Sequence, residues 1–276
     1  MKTQLELARE GTETKQMQAI AKAENLDTGI LRLRISNGSV VIMNRKDVSI
    51  GIGLGLSTKV NVNLGTSSLK IDPDEEVKKA RIAQMYGADT ITDLSMGGNI
   101  YEIRKMIMEN TTLPLTTVPI YQSAAQKGLG NIDSDEIIKN LRQQAKEGMS
   151  SFVLHCINKK TLDILKKKER IMGVVSKGGS ITSAYMMLNN CENPFISNFE
   201  EILSILKKYD IVLSLGNTMR SGCIHDKRDK AQIAEIKQNA RLAKIANEAG
   251  VQAIIEGMGG HIRADRIAGY VRFHKK

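Results

Sequence analysis

The feature that most constrains this chain is a repeated junction: a charged amphipathic segment runs into a small residue, and a short β-branched run follows at once. "IAQMYGADTITDLS", "QAKEGMSSFVLHC", "ILKKYDIVLSLGN" and "IANEAGVQAIIEG" all follow this rule. Gly87, Gly148 and Gly250 suit the left-handed cap that stops a helix, and the apolar runs after them suit strands buried on both faces. The repeat is an αβ unit, so the sheet it builds is parallel.

The pattern predicts strands near 59–66, 90–95, 115–120, 151–156, 173–176, 211–216 and 252–257. It predicts helices near 74–86, 99–109, 134–146, 159–168, 198–208, 229–248 and 263–274, with an irregular "GGSITSAYMMLNNCENPF" insertion after the fifth strand. Almost every strand ends in groups capable of chemistry. A barrel gathers all its strand carboxyl ends at one mouth, whereas a doubly wound sheet uses mainly its switch point. The expected fold is therefore a TIM-type (β/α)8 barrel, incomplete, with seven of its eight βα units. The first residues read differently, as helix, turn and strand, giving an amino-terminal subdomain at 1–46 and the barrel at 47–276.

No apolar stretch exceeds strand length, and the start of the chain has no apolar signal region, so a cytoplasmic protein without membrane attachment is expected. The net charge of +10 comes from lysines spread over amphipathic segments without interleaved aromatics, which argues against nucleic acid as a partner. The three cysteines, Cys156, Cys191 and Cys223, are too far apart to write a disulfide framework or a cluster motif.

Several strand ends carry candidate chemistry. "GIGLGL" at 51–56 precedes a strand instead of following one, and reads as a lead-in rather than a dinucleotide loop. "VNVNLGTSS" turns Asn63 inward and ends in a Gly-Thr-Ser turn suited equally to an anion or to turn chemistry. In "SKGGS", Lys177 brings a charge, and Gly178 and Gly179 let backbone amides approach a phosphate. His155 closes "FVLHC" as a donor, base or metal ligand, while its neighbour Cys156 reads as packing. "SLGNTMRSG" offers Asn217 and Arg220, the latter able to grip phosphate or carboxylate through two hydrogen bonds. In "EGMGGH", Glu256 and His261 can share a divalent metal or relay a proton, although two ligands do not complete a metal site.

Taken together, "KVNVNLGTS", "GADTITDLSMGG", "TVPIYQ", "LHC", "VVSKGG", "SLGNTMRSGCI", "DKAQIAEI" and "IEGMGGH" resemble the phosphomethylpyrimidine synthase family of thiamine biosynthesis. The match in order and spacing runs from "TQLELAREGTETKQM" to the last residue. The resemblance implies a lyase in a homodimeric (β/α)8 barrel. By radical S-adenosylmethionine chemistry it would turn aminoimidazole ribotide into hydroxymethylpyrimidine phosphate. It places ribotide contacts on Asn63, Thr92, Tyr121, His155, Ser176, Lys177, Gly178, Asn217, Arg220 and Glu256, with Glu256 and His155 the candidate catalytic pair. It makes His261 one ligand of zinc or another divalent metal.

The chain departs from the family at some of these positions. Asn217 replaces an aspartate, Lys177 an arginine, and "EGMGGH" carries an extra glycine before His261. The family's later CxxCxxxxC, which holds its four-iron cluster, is not written here. The expectation is a truncated or degenerate member, inactive in radical chemistry by itself unless a completing chain or dimer partner supplies the rest. The alternative is a non-catalytic ribotide- or phosphate-binding paralogue, or a dimerisation module.

Overall fold

A computed structural model of the chain describes residues 2–167, 170–256 and 262–274. Its main sheet has six parallel strands in chain order. These are β3 (Asn61–Leu64), β4 (Thr90–Asp93), β5 (Leu115–Thr117), β6 (Ser151–Leu154), β7 (Val212–Leu215) and β8 (Ala253–Ile255). The first two strands, β1 (Val40–Arg45) and β2 (Val48–Gly53), form a separate antiparallel hairpin that turns at 46–47.

Partners in register show why the sheet has two unlike faces, because side chains alternate across a strand. Leu64, Ile91, Leu115, Phe152, Leu154, Leu213 and Leu215 lie on one face, in a single core with helix residues such as Ile103, Ile107, Leu141, Ile202 and Leu206. The other face is mostly polar. Asn63, Thr92, Thr116 and Ser151 stand in one row across β3 to β6, and Val153, Ser214 and Ile254 in the next row across β6 to β8. The larger apolar core lies on the helix-covered face, while the polar face carries Val153 and Val212 as buried apolar residues, Val212 packed against Val41 and Met43 of the hairpin.

Three expectations are corrected. The run at 173–176 is not a strand of this sheet: β6 pairs directly with β7, Ser151 opposite Val212 and Leu154 opposite Leu215, so among the described residues the main sheet has six strands and not seven. The backbone there is committed elsewhere. The Ile171 and Met172 amides donate to the Asp226 carboxylate at 2.9 and 2.7 Å, and Ser176 is already the cap of a helix. That helix, Lys177–Leu188, occupies most of the segment expected to be irregular. The strand expected to reach residue 120 stops at Thr117, because Pro119 opens a helix, Pro119–Lys127, in its first turn.

The amino-terminal helices Gln4–Arg9, Lys15–Ala23 and Thr28–Ser36, with the hairpin, cover the amino ends of the sheet. The Thr3 hydroxyl donates to the Gly250 carbonyl at 2.7 Å, and the Gln252 side-chain amide pairs with both backbone groups of Ile42, at 2.7 and 3.2 Å. Ser150 Oγ donates to the Asn44 carbonyl at 2.9 Å. The Arg45 guanidinium donates to the carbonyls of Met108, Thr111 and Leu113, just before β5. With the amino ends covered, the carboxyl ends are left as the face available to ligands.

Candidate functional site

At the carboxyl ends of β5 to β8 the chain gathers Tyr121, His155, Ser176, Lys177, Gly178, Asn217, Arg220 and Glu256. His155 directly follows β6, Asn217 lies two residues beyond β7 and Glu256 directly follows β8. Tyr121 is not at a strand end but in the first turn of Pro119–Lys127, with its ring edge beside Gly178.

The centre of the cluster is the His155 imidazole, 4% exposed, held between two glycines. A Cβ on Gly178 would lie 2.4 Å from its Cδ2, and one on Gly216 would lie 2.7 Å from its Nδ1. Burial, with the Arg220 charge nearby, lowers the His155 pKa to about 3, so the ring is neutral at any ordinary pH. Its Nδ1 lies 3.2 Å from the Thr218 hydroxyl.

The two glycines of "SKGGS" do a different job from the one their sequence suggests. The Gly178 amide bonds the Tyr121 phenol and the Gly179 amide donates to Ser176 Oγ at 3.2 Å, so neither is free to face an anion. Their missing side chains instead make room, Gly178 for His155 and Gly179 for Thr218, whose Cγ2 would be 2.5 Å from a Cβ there. Positive charge for a ligand comes from Lys177, exposed and with Nζ 5.7 Å from the centre of the Tyr121 ring, and from Arg220. Burial raises the Tyr121 pKa, which keeps its phenol protonated as a donor.

Glu256 accepts from the Asn217 amide at 3.3 Å and from Ser214 Oγ at 3.4 Å. Burial raises its pKa against those two bonds and the Arg220 charge, so it holds a proton more readily than an ordinary carboxylate. Asn63 and Thr92 are on the same sheet face but are tied to each other through Asn61, which donates to Asn63 Oδ1 and accepts from Thr92 Oγ1, both at 3.0 Å. They contribute a polar row toward β3 and touch none of the His155 group among the described contacts.

The Gly-Thr-Ser turn is turn chemistry. Thr66 Oγ1 donates to the Gly97 carbonyl at 2.7 Å, and the Thr66 amide donates to Ser95 Oγ at 3.2 Å. Cys156 is fully buried, and burial drives its thiol pKa far up, so it stays protonated and inert. His261 lies outside the described residues. No three His, Cys, Asp or Glu side chains converge among the described residues, so these residues alone do not fit zinc or an iron-sulfur cluster.

Sequence reasoning missed Glu235 and Thr218. Glu235, on the helix Lys230–Glu248, accepts from the Thr218 and Met219 amides at 2.7 Å each and so fixes the loop between Asn217 and Arg220. A signal was present: Gln232, Glu235, Gln238 and Asn239 recur at helical spacing, and all four are buried.

The sequence profile of the radical SAM ThiC family matches residues 3–276. The chain is 44% identical over 282 residues to a phosphomethylpyrimidine synthase of Methanocaldococcus jannaschii, an alignment covering 99% of this chain and 66% of that protein. It is 45% identical over 282 residues to the phosphomethylpyrimidine synthase of Methanococcus vannielii, with the same coverage. A third relative, 5-hydroxybenzimidazole synthase of Geobacter metallireducens, is 42% identical over 286 residues, 100% of this chain and 66% of its own length. The chain thus spans just under two thirds of the length of these relatives.

Proposed function

Because the chain belongs to the radical SAM ThiC family, we propose that the cluster at the carboxyl ends of β5 to β8 binds a phosphorylated imidazole ribotide for thiamine pyrimidine biosynthesis. The observation that carries this reading is one neutral imidazole and one neutral phenol, packed around Gly178, beside the cations Lys177 and Arg220. A flat heterocycle carrying a phosphate needs that combination: uncharged donors and acceptors for the ring, and charge for the phosphate.

In this reading Lys177, Arg220 and the Ser176 cap meet the phosphate, and His155, Tyr121 and Asn217 meet the ribose and ring. Asn63 and Thr92 line the approach from β3. Glu256 acts as the group that takes or returns a proton beside the ligand, with His261 contributing to a divalent metal. One-sided helix packing and the polar inner face support a sheet rolled as in a (β/α)8 barrel. S-adenosylmethionine, a four-iron cluster and zinc belong to the proposal through the family alone. The pairing of strands across a homodimer, or with further chain, belongs to the same proposal.

Calorimetric titration of the chain with aminoimidazole ribotide, against ribose 5-phosphate as comparator, tests it. Saturable binding is expected, tighter for the ribotide. Lys177→Ala or Arg220→Ala is expected to weaken it about ten- to a hundredfold, the usual cost of a charge-assisted contact. No binding, or equal affinity in both variants and wild type, would refute the assignment. The relatives' names differ in product, and product analysis with a complete, reconstituted protein separates the pyrimidine from the benzimidazole.

A further inference from the structure

We infer that Glu235 is a positioning residue that sets the tautomer of His155 through the Thr218 hydroxyl, leaving the proton on Nδ1 and a bare lone pair on Nε2.

The geometry leaves few alternatives. Each oxygen of the Glu235 carboxylate accepts a backbone amide at 2.7 Å, from Thr218 and from Met219. The Thr218 hydroxyl is a further hydrogen-bond partner of the same carboxylate. An ionised carboxylate only accepts, so that hydroxyl must spend its one proton on Glu235. What it offers His155 Nδ1, 3.2 Å away, is a lone pair. A neutral imidazole has a single N–H, so a ring facing an acceptor at Nδ1 carries its proton there and is an acceptor at Nε2.

Nε2 is the nitrogen beside Gly178, where a Cβ would be 2.5 Å away, and it makes no hydrogen bond among the described residues. The relay is enclosed: Thr218 and Met219 are fully buried, Glu235 is 2% exposed and His155 4%. Water therefore does not compete for the hydroxyl proton. Burial raises the Glu235 pKa to about 7 against the bonds it accepts, so the relay is set firmly once the carboxylate is ionised. A His155 acceptor at Nε2 calls for an N–H or O–H on the ligand. That consequence rests on the ribotide reading above, whereas the tautomer itself does not.

The test reads the tautomer without ligand, so its failure and that of ribotide binding are separate results. Nitrogen-15 NMR of histidine-labelled chain at about pH 8.5, above the Glu235 value, distinguishes protonated from bare ring nitrogens. His155 is identified among the four histidines as the signal lost in His155→Gln. The expected wild-type pattern is a protonated Nδ1 and a bare Nε2. Glu235→Gln turns one accepting oxygen into a donor, and the population should move toward protonated Nε2. Thr218→Ser keeps the hydroxyl and should keep the wild-type pattern, which a purely space-filling threonine does not require. If the buried amide of Glu235→Gln prevents folding, Thr218→Val replaces it with the same expectation. A protonated Nε2 in the wild type, or an unchanged tautomer in the folded Glu235 or Thr218→Val variant, overturns the inference.

Discussion

Gly216 is small because an imidazole needs the space: its missing Cβ would fall 2.7 Å from His155 Nδ1 and 2.8 Å from Cε1. Gly216→Ala should push the ring off Thr218 and reduce ribotide affinity at least tenfold, with a stability loss of about 1–3 kcal/mol from overpacking. Titration and thermal melting check both, and unchanged affinity would mean the ring's position is immaterial. At this scale the sequence was partly legible. His155, Arg220 and Glu256 stood out because charged or titratable residues seldom end an apolar run without cause, but the glycines of "SKGGS" suggested open amides and turned out to be spacers. Glu235 was hidden because a charge on an amphipathic helix reads as a solvated face. The Asn217 backbone N–H donates to Glu256 Oε2 at 3.3 Å, a bond that aspartate there would make equally, so nothing in the structure explains the asparagine itself.

Elements were most legible where period and cap agreed. The helices Pro73–Met85, Ile100–Glu109, Ser134–Glu147 and Lys230–Glu248 begin within a residue of the predicted positions, each behind an aspartate or asparagine that caps an amide of the first turn. Lys177–Leu188 was missed because two glycines and a threonine depress its local propensity, while its buried Ile181, Tyr185 and Met186 supply the tertiary packing that overrides it. The junction between elements carries a titration. Asp210 ends the helix Phe199–Tyr209 and accepts the Gln4 amide at 3.2 Å, and burial raises its pKa from 3.8 to about 7. The folded chain then holds this proton more tightly than the unfolded one. Its stabilising effect is full below about pH 4 and is lost as pH rises to about 7. Asp210→Asn keeps the acceptor and removes the titration. Its stability relative to wild type should climb across that window by on the order of 2–4 kcal/mol, as read from urea unfolding at a series of pH values. Parallel curves would show that the carboxyl is not held protonated.

At the scale of the molecule the sequence told that strands would follow one another in parallel order, because each αβ junction is written locally; which surfaces meet at the ends is a matter of distant contacts it does not spell out. The four central strands are buried at every position, whereas β3 is half exposed and β8 is intermediate throughout. β3 and β8 are the edges of this sheet, each without a strand partner on one side among the described residues. The amino-terminal hairpin pairs with neither, since β1 pairs with β2 and packs its Val41 and Met43 against Val212 at the start of β7. With the amino-terminal helices, it covers the amino ends of the sheet. The central claim, that ligand binding belongs to the carboxyl ends of the strands, is tested most directly by amide hydrogen exchange with and without aminoimidazole ribotide. Slowed exchange is predicted at 176–179 and 216–219, with no change at 41–45, 150 and 250–252; protection confined to the amino-terminal face, or none anywhere, would contradict it.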